Sequence, residues 1–119
     1  MSVLVQISDI HVGSLYNSSV FDKIVKEVNS MKPDAIVVTG DLTDEGLLPQ
    51  FELARKELAR FDCQNLIVIP GNHDYRHTGY LLYKKFFPSK QIHDMDDVVV
   101  VTLSTARPDR DEGEVGYRQ

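Results

Sequence analysis

Three short stretches of the sequence concentrate side chains that can bind a metal ion or transfer a proton. The stretches are Ser8-Asp9-Ile10-His11, Gly40-Asp41-Leu42-Thr43-Asp44 and Gly71-Asn72-His73-Asp74. Asp41 follows Asp9 by 32 positions and Asn72 follows Asp41 by 31, so one kind of turn recurs at a nearly constant interval. Carboxylates packed together at one site repel one another, and a bound divalent cation removes that repulsion.

The ligand types in these stretches indicate a class of metal. Aspartate and histidine together suit Mn²⁺, Fe, Zn²⁺, Co²⁺ or Ni²⁺ better than the all-oxygen site of Ca²⁺. Asp41 occupies the middle stretch, where it could bridge two ions, and Asn72 offers a carbonyl oxygen without further negative charge. Two ions about 3.5–4 Å apart would clamp a phosphoryl group and convert a bridging water to hydroxide at neutral pH.

The same three stretches follow three predicted strands. Apolar runs predict buried strands over 3–8, 35–39 and 66–69, and helical periodicity predicts helices over 19–31, from Leu48 onward and over 79–87. A fourth strand is predicted over 97–103. Strands alternating with helices are typical of right-handed βαβ units and a parallel sheet, whose sites form beyond the carboxyl ends of the strands.

Taken together, Asp9-x-His11, Gly40-Asp41-x-x-Asp44 and Gly71-Asn72-His73-Asp74 resemble the first three blocks of the calcineurin-like metallophosphoesterase family. The resemblance extends over positions 3–76. An arginine two residues after Asp74, here Arg76, resembles the pattern of the cyclic-nucleotide-phosphodiesterase branch of the family. It implies an α/β fold: the N-terminal half of a four-layer αββα sandwich, with a mostly parallel sheet of βαβ units. It also implies a hydrolase with a dinuclear metal site, for which manganese is one candidate ion.

The resemblance assigns metal-binding roles to four residues. Asp9 and His11 would hold the first ion, Asp41 would bridge both ions, and Asn72 would hold the second. The cofactor expected is therefore a pair of divalent transition-metal ions, with Mn, Fe, Zn, Co and Ni all left open.

The resemblance also implies roles in proton transfer and substrate binding. His73 would stabilise or protonate the leaving oxygen, and Asp74 would hydrogen-bond to His73 and fix its orientation. Asp44 would support the loop or a metal-bound histidine from outside the ligand set. Arg76 and His77 are candidate contacts for substrate phosphate; the alternatives are a surface ion pair for Arg76 and a solvated loop position for His77.

The ligand set that the family uses is not complete in these residues. Relatives add three later histidines, one alone and two in a Gly-His-x-His block, whereas only His77 and His93 follow Asp74 here. We therefore expect residues 1–119 to be a single, incomplete domain that forms the N-terminal half of a larger one.

The function predicted on these grounds is a metal-dependent phosphoesterase that hydrolyses phosphodiester or phosphomonoester bonds through a metal-bridging hydroxide. The isolated chain is expected to have low activity, because four of seven ligands can be assigned. The alternative is a non-catalytic interaction or scaffold domain that retains the phosphoesterase core. The intact Asp9, His11, Asp41 and His73 favour the enzyme, since a decayed site would show substitutions there.

Composition restricts the partners and the compartment. The 119 residues carry a formal net charge of −5, which argues against a nucleic-acid partner. The substrate that the resemblance implies is a small-molecule phosphate ester. No apolar run is long enough for a membrane span, and the lone Cys63 cannot form an internal disulfide, so we predict a cytoplasmic protein. The apolar run 98–101 predicts an edge strand that pairs with a second copy, as a homodimer, or with the C-terminal half.

Overall fold

The computed structural model describes residues 1–88 and 90–116. In chain order the elements are β1 (Leu4–Ile7), α1 (Ser18–Met31), β2 (Ala35–Val38), α2 (Leu48–Leu58), β3 (Leu66–Val68), a single 3₁₀ turn (His73–Tyr75), α3 (Gly79–Phe86), β4 (Ile92–Asp94) and β5 (Val99–Val101). The chain is therefore an α/β protein, as predicted.

The first three strands form one parallel sheet in the order β1-β2-β3. Leu4 of β1 is paired with Ala35 of β2, and Ile36 of β2 is paired with Leu66 of β3. Since α1 connects β1 to β2 and α2 connects β2 to β3, the sheet consists of two βαβ units. The predicted arrangement of the three strands is confirmed, and their carboxyl ends open on one edge.

Local sequence signals explain where α1 begins and ends. The helix starts at Ser18, one residue before the predicted start, because the side chain of Asn17 accepts a hydrogen bond from the backbone N–H of Val20. At the other end Lys32 adopts the left-handed conformation with φ of 49°, and Pro33 follows. Proline cannot continue the helix, so the chain turns directly into β2.

All three helices pack in one core cluster with one face of the sheet. Ile36 and Val38 of β2 lie in this cluster with Phe21 of α1, Phe51 of α2 and Tyr83 of α3. The opposite face is less covered: an open groove of about 380 Å³ is lined there by residues of β1 and β2, among them Leu4, Gln6 and Val37. The helices therefore cover a single face of this sheet, as expected for half of a layered sandwich.

The fourth predicted strand has a different partner from the one that the βαβ pattern suggested. Residues 99–101 form β5, which pairs antiparallel with β4 in a separate two-stranded sheet, with His93 opposite Val100. The strand at Ile92–Asp94 was not predicted from the sequence. Val99 and Val101 remain more than half exposed. Within residues 1–88 and 90–116, every helix is too short or too polar to span a bilayer.

Candidate metal centre and active site

The loops after β1 and β2 stay in register beyond the ends of the strands. The backbone N–H of Asp9 donates to the carbonyl of Gly40 at 3.0 Å, and the N–H of His11 donates to the carbonyl of Asp41 at 2.9 Å. These backbone hydrogen bonds alone hold the first two motifs against each other.

Three of the candidate ligands have left-handed backbone conformations. The φ angles are 59° at Asp9, 50° at His11 and 52° at Asp41, and Gly40 has φ of 105°. Aspartate and histidine tolerate this region better than most residues, and such conformations concentrate at functional sites, where the surrounding structure holds them. The backbone therefore turns sharply at each position from which a candidate ligand projects.

The side chains of Asp9, His11 and Asp41 converge. Nε2 of His11 lies 3.3 Å from Oδ1 of Asp9 and 3.8 Å from Oδ2 of Asp41, and the three donor atoms all lie within 4.8 Å of one another. The hydroxyl of Ser8 donates to Asp9 at 2.7 Å and lowers the pKa of that carboxyl below its usual value, which favours the ionised form that a metal binds. This donor set fits one divalent transition-metal ion.

Asp41 is held between the first and third motifs. Its Oδ1 accepts a hydrogen bond from the backbone N–H of His73 at 3.0 Å, while its Oδ2 faces His11. A Cβ atom at Gly71 would lie 2.2 Å from Oδ1 of Asp41, so only glycine allows this approach. A Cβ at Gly40 would lie 2.6 Å from the nitrogen of Gly71, so the two turns also touch through their backbones.

Asn72 and Asp41 lie side by side in the wall of a cleft. The two residues line an opening of about 230 Å³, whose far wall is formed by residues of the segment after β5, including Asp111 and Glu112. The side-chain nitrogen of Asn72 donates to Oδ1 of Asp111 at 3.0 Å. The amide is therefore oriented by a residue from a distant part of the chain.

Asp44 contacts both histidines of the site. Nδ1 of His73 donates to the backbone carbonyl of Asp44 at 2.8 Å, so the proton of the neutral ring lies on Nδ1 and Nε2 is left for other partners. Nδ1 of His11 lies 3.6 Å from the carboxylate of Asp44, on the opposite side of the ring from Asp9. A carboxylate behind a metal-binding imidazole is a common arrangement that fixes the ring.

Comparison with known families identifies this arrangement. A family model described as calcineurin-like phosphoesterase matches residues 2–113. The chain belongs to the calcineurin-like phosphoesterase family. This match confirms the resemblance to the family that the three motifs indicated.

Individual relatives of the chain include proteins named for cyclic nucleotides. It is 33% identical over 133 residues to a "Probable cyclic nucleotide phosphodiesterase" of Rhodococcus erythropolis, covering 98% of this chain and 44% of the relative. It is 28% identical over 134 residues to a cAMP/cGMP dual specificity phosphodiesterase of Mycobacterium tuberculosis, covering 98% and 42%. A "Probable glycerophosphodiester phosphodiesterase" of Arcobacter nitrofigilis is 34% identical over 82 residues, covering 60% and 30%. The chain thus spans less than half the length of these curated relatives.

Asp74 does not orient His73 in the way that was expected. Its carboxylate is fully buried and accepts hydrogen bonds from the N–H groups of Leu42, Thr43 and Gly71, and from the Thr43 hydroxyl, at 2.9–3.2 Å. Burial raises the pKa of Asp74, and the N–H donors oppose that shift. The expected hydrogen bond between Asp74 and His73 is therefore wrong: Asp74 joins the second motif to the third, and the Asp44 carbonyl orients His73.

The two candidate phosphate contacts, Arg76 and His77, share one carboxylate. Nη1 of Arg76 lies 3.2 Å from Oε1 of Glu45, and Nε2 of His77 lies 3.4 Å from Oε2 of the same residue. They line a cleft of about 230 Å³ together with residues 109–111. Glu45 would compete with a substrate phosphate for both side chains, so their role as substrate contacts stays a prediction.

Sequence reasoning missed three residues that hold the site together: Thr43, Glu45 and Asp111. Thr43 lies within the second motif and is fully buried, as is its partner Asp74. Nothing in the sequence alone indicates that these two residues are paired. Asp111 lies 39 positions after Asn72, in a segment whose polar composition gave no sign of a contact with the site.

Proposed function

We propose that this chain forms the N-terminal half of the active site of a divalent-metal-dependent phosphodiesterase. The observation that supports this most directly is the convergence of Asp9, His11 and Asp41, with their donor atoms within 4.8 Å, at the carboxyl edge of a parallel sheet. Family membership supplies the phosphoester chemistry. The relatives named above as phosphodiesterases favour a diester over a monoester.

In this proposal the chain holds ions at two adjacent places. Asp9, His11 and Asp41 hold one ion, and Asp41 with Asn72 holds the other, with Mn, Fe, Zn, Co or Ni as candidates. When bound, such ions supply Lewis-acid stabilisation of the phosphoryl oxygens and an activated water. The close approach of Gly71 restricts the position of the Asp41 carboxylate, the group that would bridge the two ions.

His73 is proposed to assist departure of the leaving group. Because its Nδ1 hydrogen is engaged by the carbonyl of Asp44, Nε2 is the ring nitrogen that can exchange a proton with substrate. In the protonated ring, Nε2–H donates to the leaving oxygen as the phosphorus–oxygen bond breaks. A positioned acid of this kind contributes roughly 10²–10⁴-fold in rate.

The proposed substrate class rests on the names of the relatives. Cyclic nucleotides and glycerophosphodiesters, named for the relatives, are both small phosphodiesters. We therefore propose a small-molecule diester as substrate.

Binding of Mn²⁺ tests the proposal without depending on turnover. The Mn²⁺ electron paramagnetic resonance signal falls when the free ion is bound, so a titration gives stoichiometry and affinity. Asp41→Ala is expected to abolish most of the binding seen in the wild-type chain. Asp62→Ala removes an exposed carboxylate outside the site and is expected to leave binding unchanged. Equal stoichiometry in Asp41→Ala and wild type would contradict the bridging role.

Hydrolysis distinguishes the diester from the monoester. Bis(p-nitrophenyl) phosphate and p-nitrophenyl phosphate are offered with Mn²⁺, and the diester is expected to turn over faster. Activity is expected to be low, since four ligand side chains are assigned for two ions. Faster release of p-nitrophenol from the monoester would refute the diester assignment.

A further inference from the structure

We propose that Asp111 is a positioning residue that orients the amide of Asn72 toward the second ion; this inference rests on the proposed function. The side-chain nitrogen of Asn72 and Oδ1 of Asp111 are 3.0 Å apart. Neither the motifs nor the family resemblance assigned a role to Asp111.

The chemistry of the two groups decides which end of the amide faces the site. An ionised carboxylate only accepts hydrogen bonds, whereas an asparagine side chain has a donating NH₂ end and an accepting carbonyl end. Asp111 therefore selects the NH₂ end of Asn72, and the carbonyl oxygen lies at the opposite edge of the planar amide group. A metal ion binds asparagine through that oxygen, so the hydrogen bond selects the orientation that can bind the ion.

Asp111 is carried by a loop, residues 105–114, that is closed on itself. The N–H of Glu114 donates to the carbonyl of Thr105 at 2.8 Å, and Arg107 forms an ion pair with Glu114 at 2.9 Å. A Cβ at Gly113 would lie 3.1 Å from the side chain of Thr105, so the two ends of the loop are in close contact.

The 105–114 loop is also attached to the residues that directly follow the third motif. The backbone N–H of Asp109 donates to the carbonyl of Tyr75 at 3.3 Å, and the carboxylate of Asp109 accepts from the N–H of His77 at 2.9 Å. These bonds fix the loop two residues before Asp111. The position of the Asp111 carboxylate is therefore determined by the fold as well as by its contact with Asn72.

The negative charge of Asp111 adds to the effect of orientation. A carboxylate that accepts from the NH₂ group of an amide draws the hydrogens toward itself and increases the partial negative charge on the amide oxygen. Partners of this kind change metal affinity by about 10–100-fold when they are removed. We therefore expect Asp111→Leu to weaken binding of a second Mn²⁺ at least about tenfold.

The first part of the test needs no metal. In the metal-free chain, the Nδ2 protons of Asn72 are observed by ¹H–¹⁵N nuclear magnetic resonance. Asp111→Leu is expected to shift these signals, whereas Glu112→Gln removes the neighbouring charge, which lines the same cleft, and is expected to leave them in place. Asn72 signals that are identical in wild type and Asp111→Leu would overturn the proposal.

The second part measures Mn²⁺ binding to the Asp111 variants. The expected order of affinity for the second ion is wild type, then Asp111→Asn, then Asp111→Leu, because asparagine retains an acceptor without the charge. Asp62→Ala, which removes an exposed carboxylate outside the site, should match wild type. Unchanged Mn²⁺ affinity in Asp111→Leu would overturn the role of Asp111 alone. A wild-type chain that binds no Mn²⁺ would overturn the proposed function instead.

Discussion

The rings of His11 and His73 meet edge to face, with centroids 4.7 Å apart and planes at 89°. The carboxylate of Asp44 lies within ion-pair distance of Nδ1 of both rings, at 3.6 Å and 3.9 Å. One histidine is a candidate metal ligand and the other is the proposed proton donor. A change in either ring therefore affects the position of the other.

Substituting His73 separates its packing role from its proton-transfer role. His73→Phe retains a ring against His11, so we expect Mn²⁺ affinity near that of wild type together with loss of any Mn²⁺-dependent hydrolysis. His73→Ala removes an aromatic contact worth roughly 1 kcal/mol, which corresponds to about fivefold weaker Mn²⁺ binding. Paramagnetic resonance titration measures the affinity. Equal affinities for the two variants would show that the ring contact does not position His11.

Gly71→Ala is expected to disturb the bridging carboxylate directly. The new Cβ would overlap Oδ1 of Asp41, since their separation would be 2.2 Å. We expect a loss of about 1–3 kcal/mol in the free energy of unfolding, as for overpacking in general, together with weaker Mn²⁺ binding. Gly116→Ala is the matched control, because a Cβ there meets no atom within 4 Å. Urea denaturation of both variants makes the comparison, and an equal effect at the two positions would contradict it.

Thr43→Val tests the buried attachment of the second motif to the third. The Thr43 hydroxyl donates to Asp74 at 2.9 Å and accepts from the N–H of Gly46 at 3.0 Å, and valine makes neither bond. We expect a loss of about 1–3 kcal/mol in the free energy of unfolding, because buried polar groups lose a partner. The Thr39 hydroxyl accepts an exposed bond from Gln6, so Thr39→Val should have a smaller effect. A Thr43→Val chain as stable as wild type would show that the Thr43 hydroxyl does not stabilise the attachment of the second motif to the third.

Ser8→Ala is expected to raise the pKa of Asp9 toward the ordinary value of about 3.9. The Ser8 hydroxyl is the largest influence lowering that pKa, and burial opposes it. A lowered native pKa stabilises the fold above the ordinary value, and this stabilisation is lost as the pH falls through the native pKa. The variant should therefore lose less stability than wild type in this acidic range.

Carboxyl ¹³C resonances of the metal-free chain give the pKa of Asp9 in the Ser8→Ala variant. Ser14→Ala is the control, because Ser14 lies in the same loop and is not among the groups that shift Asp9. An Asp9 midpoint that is unchanged in Ser8→Ala would show that the Ser8 hydroxyl does not lower it.

Sequence patterns predicted the elements that place the candidate metal ligands. Apolar runs give β1, β2 and β3, and apolar stripes at helical spacing give α1 and α2, since burial of one face determines these elements. Their order fixes the parallel sheet, and the sheet brings Asp9 and Asp41 to one edge. This much follows from periodicity and from the handedness of βαβ connections.

The remaining features depend on contacts between residues far apart in the chain. The run 98–101 has the composition of a strand, but composition does not specify whether its partner is β3 or the short β4. Likewise Asp74 directly follows His73 in sequence, yet buried N–H groups compete for its carboxylate and hold it away from the ring. The contact between Asn72 and Asp111 has no local signal at all.

The parallel register has a consequence for the order of events in folding. Leu4 pairs with Ala35 and Ile36 with Leu66, so each strand pairing closes a segment of about thirty residues. The entropy of closing such segments is lost before the contacts between them stabilise the chain, which makes parallel pairing slow. Asp9 and Asp41 come together only when β1 pairs with β2. The hydrogen bond from His73 to Asp41 also requires β2 to pair with β3. Uptake of a metal ion during refolding would thus mark completion of the sheet, after the helices and the initial collapse.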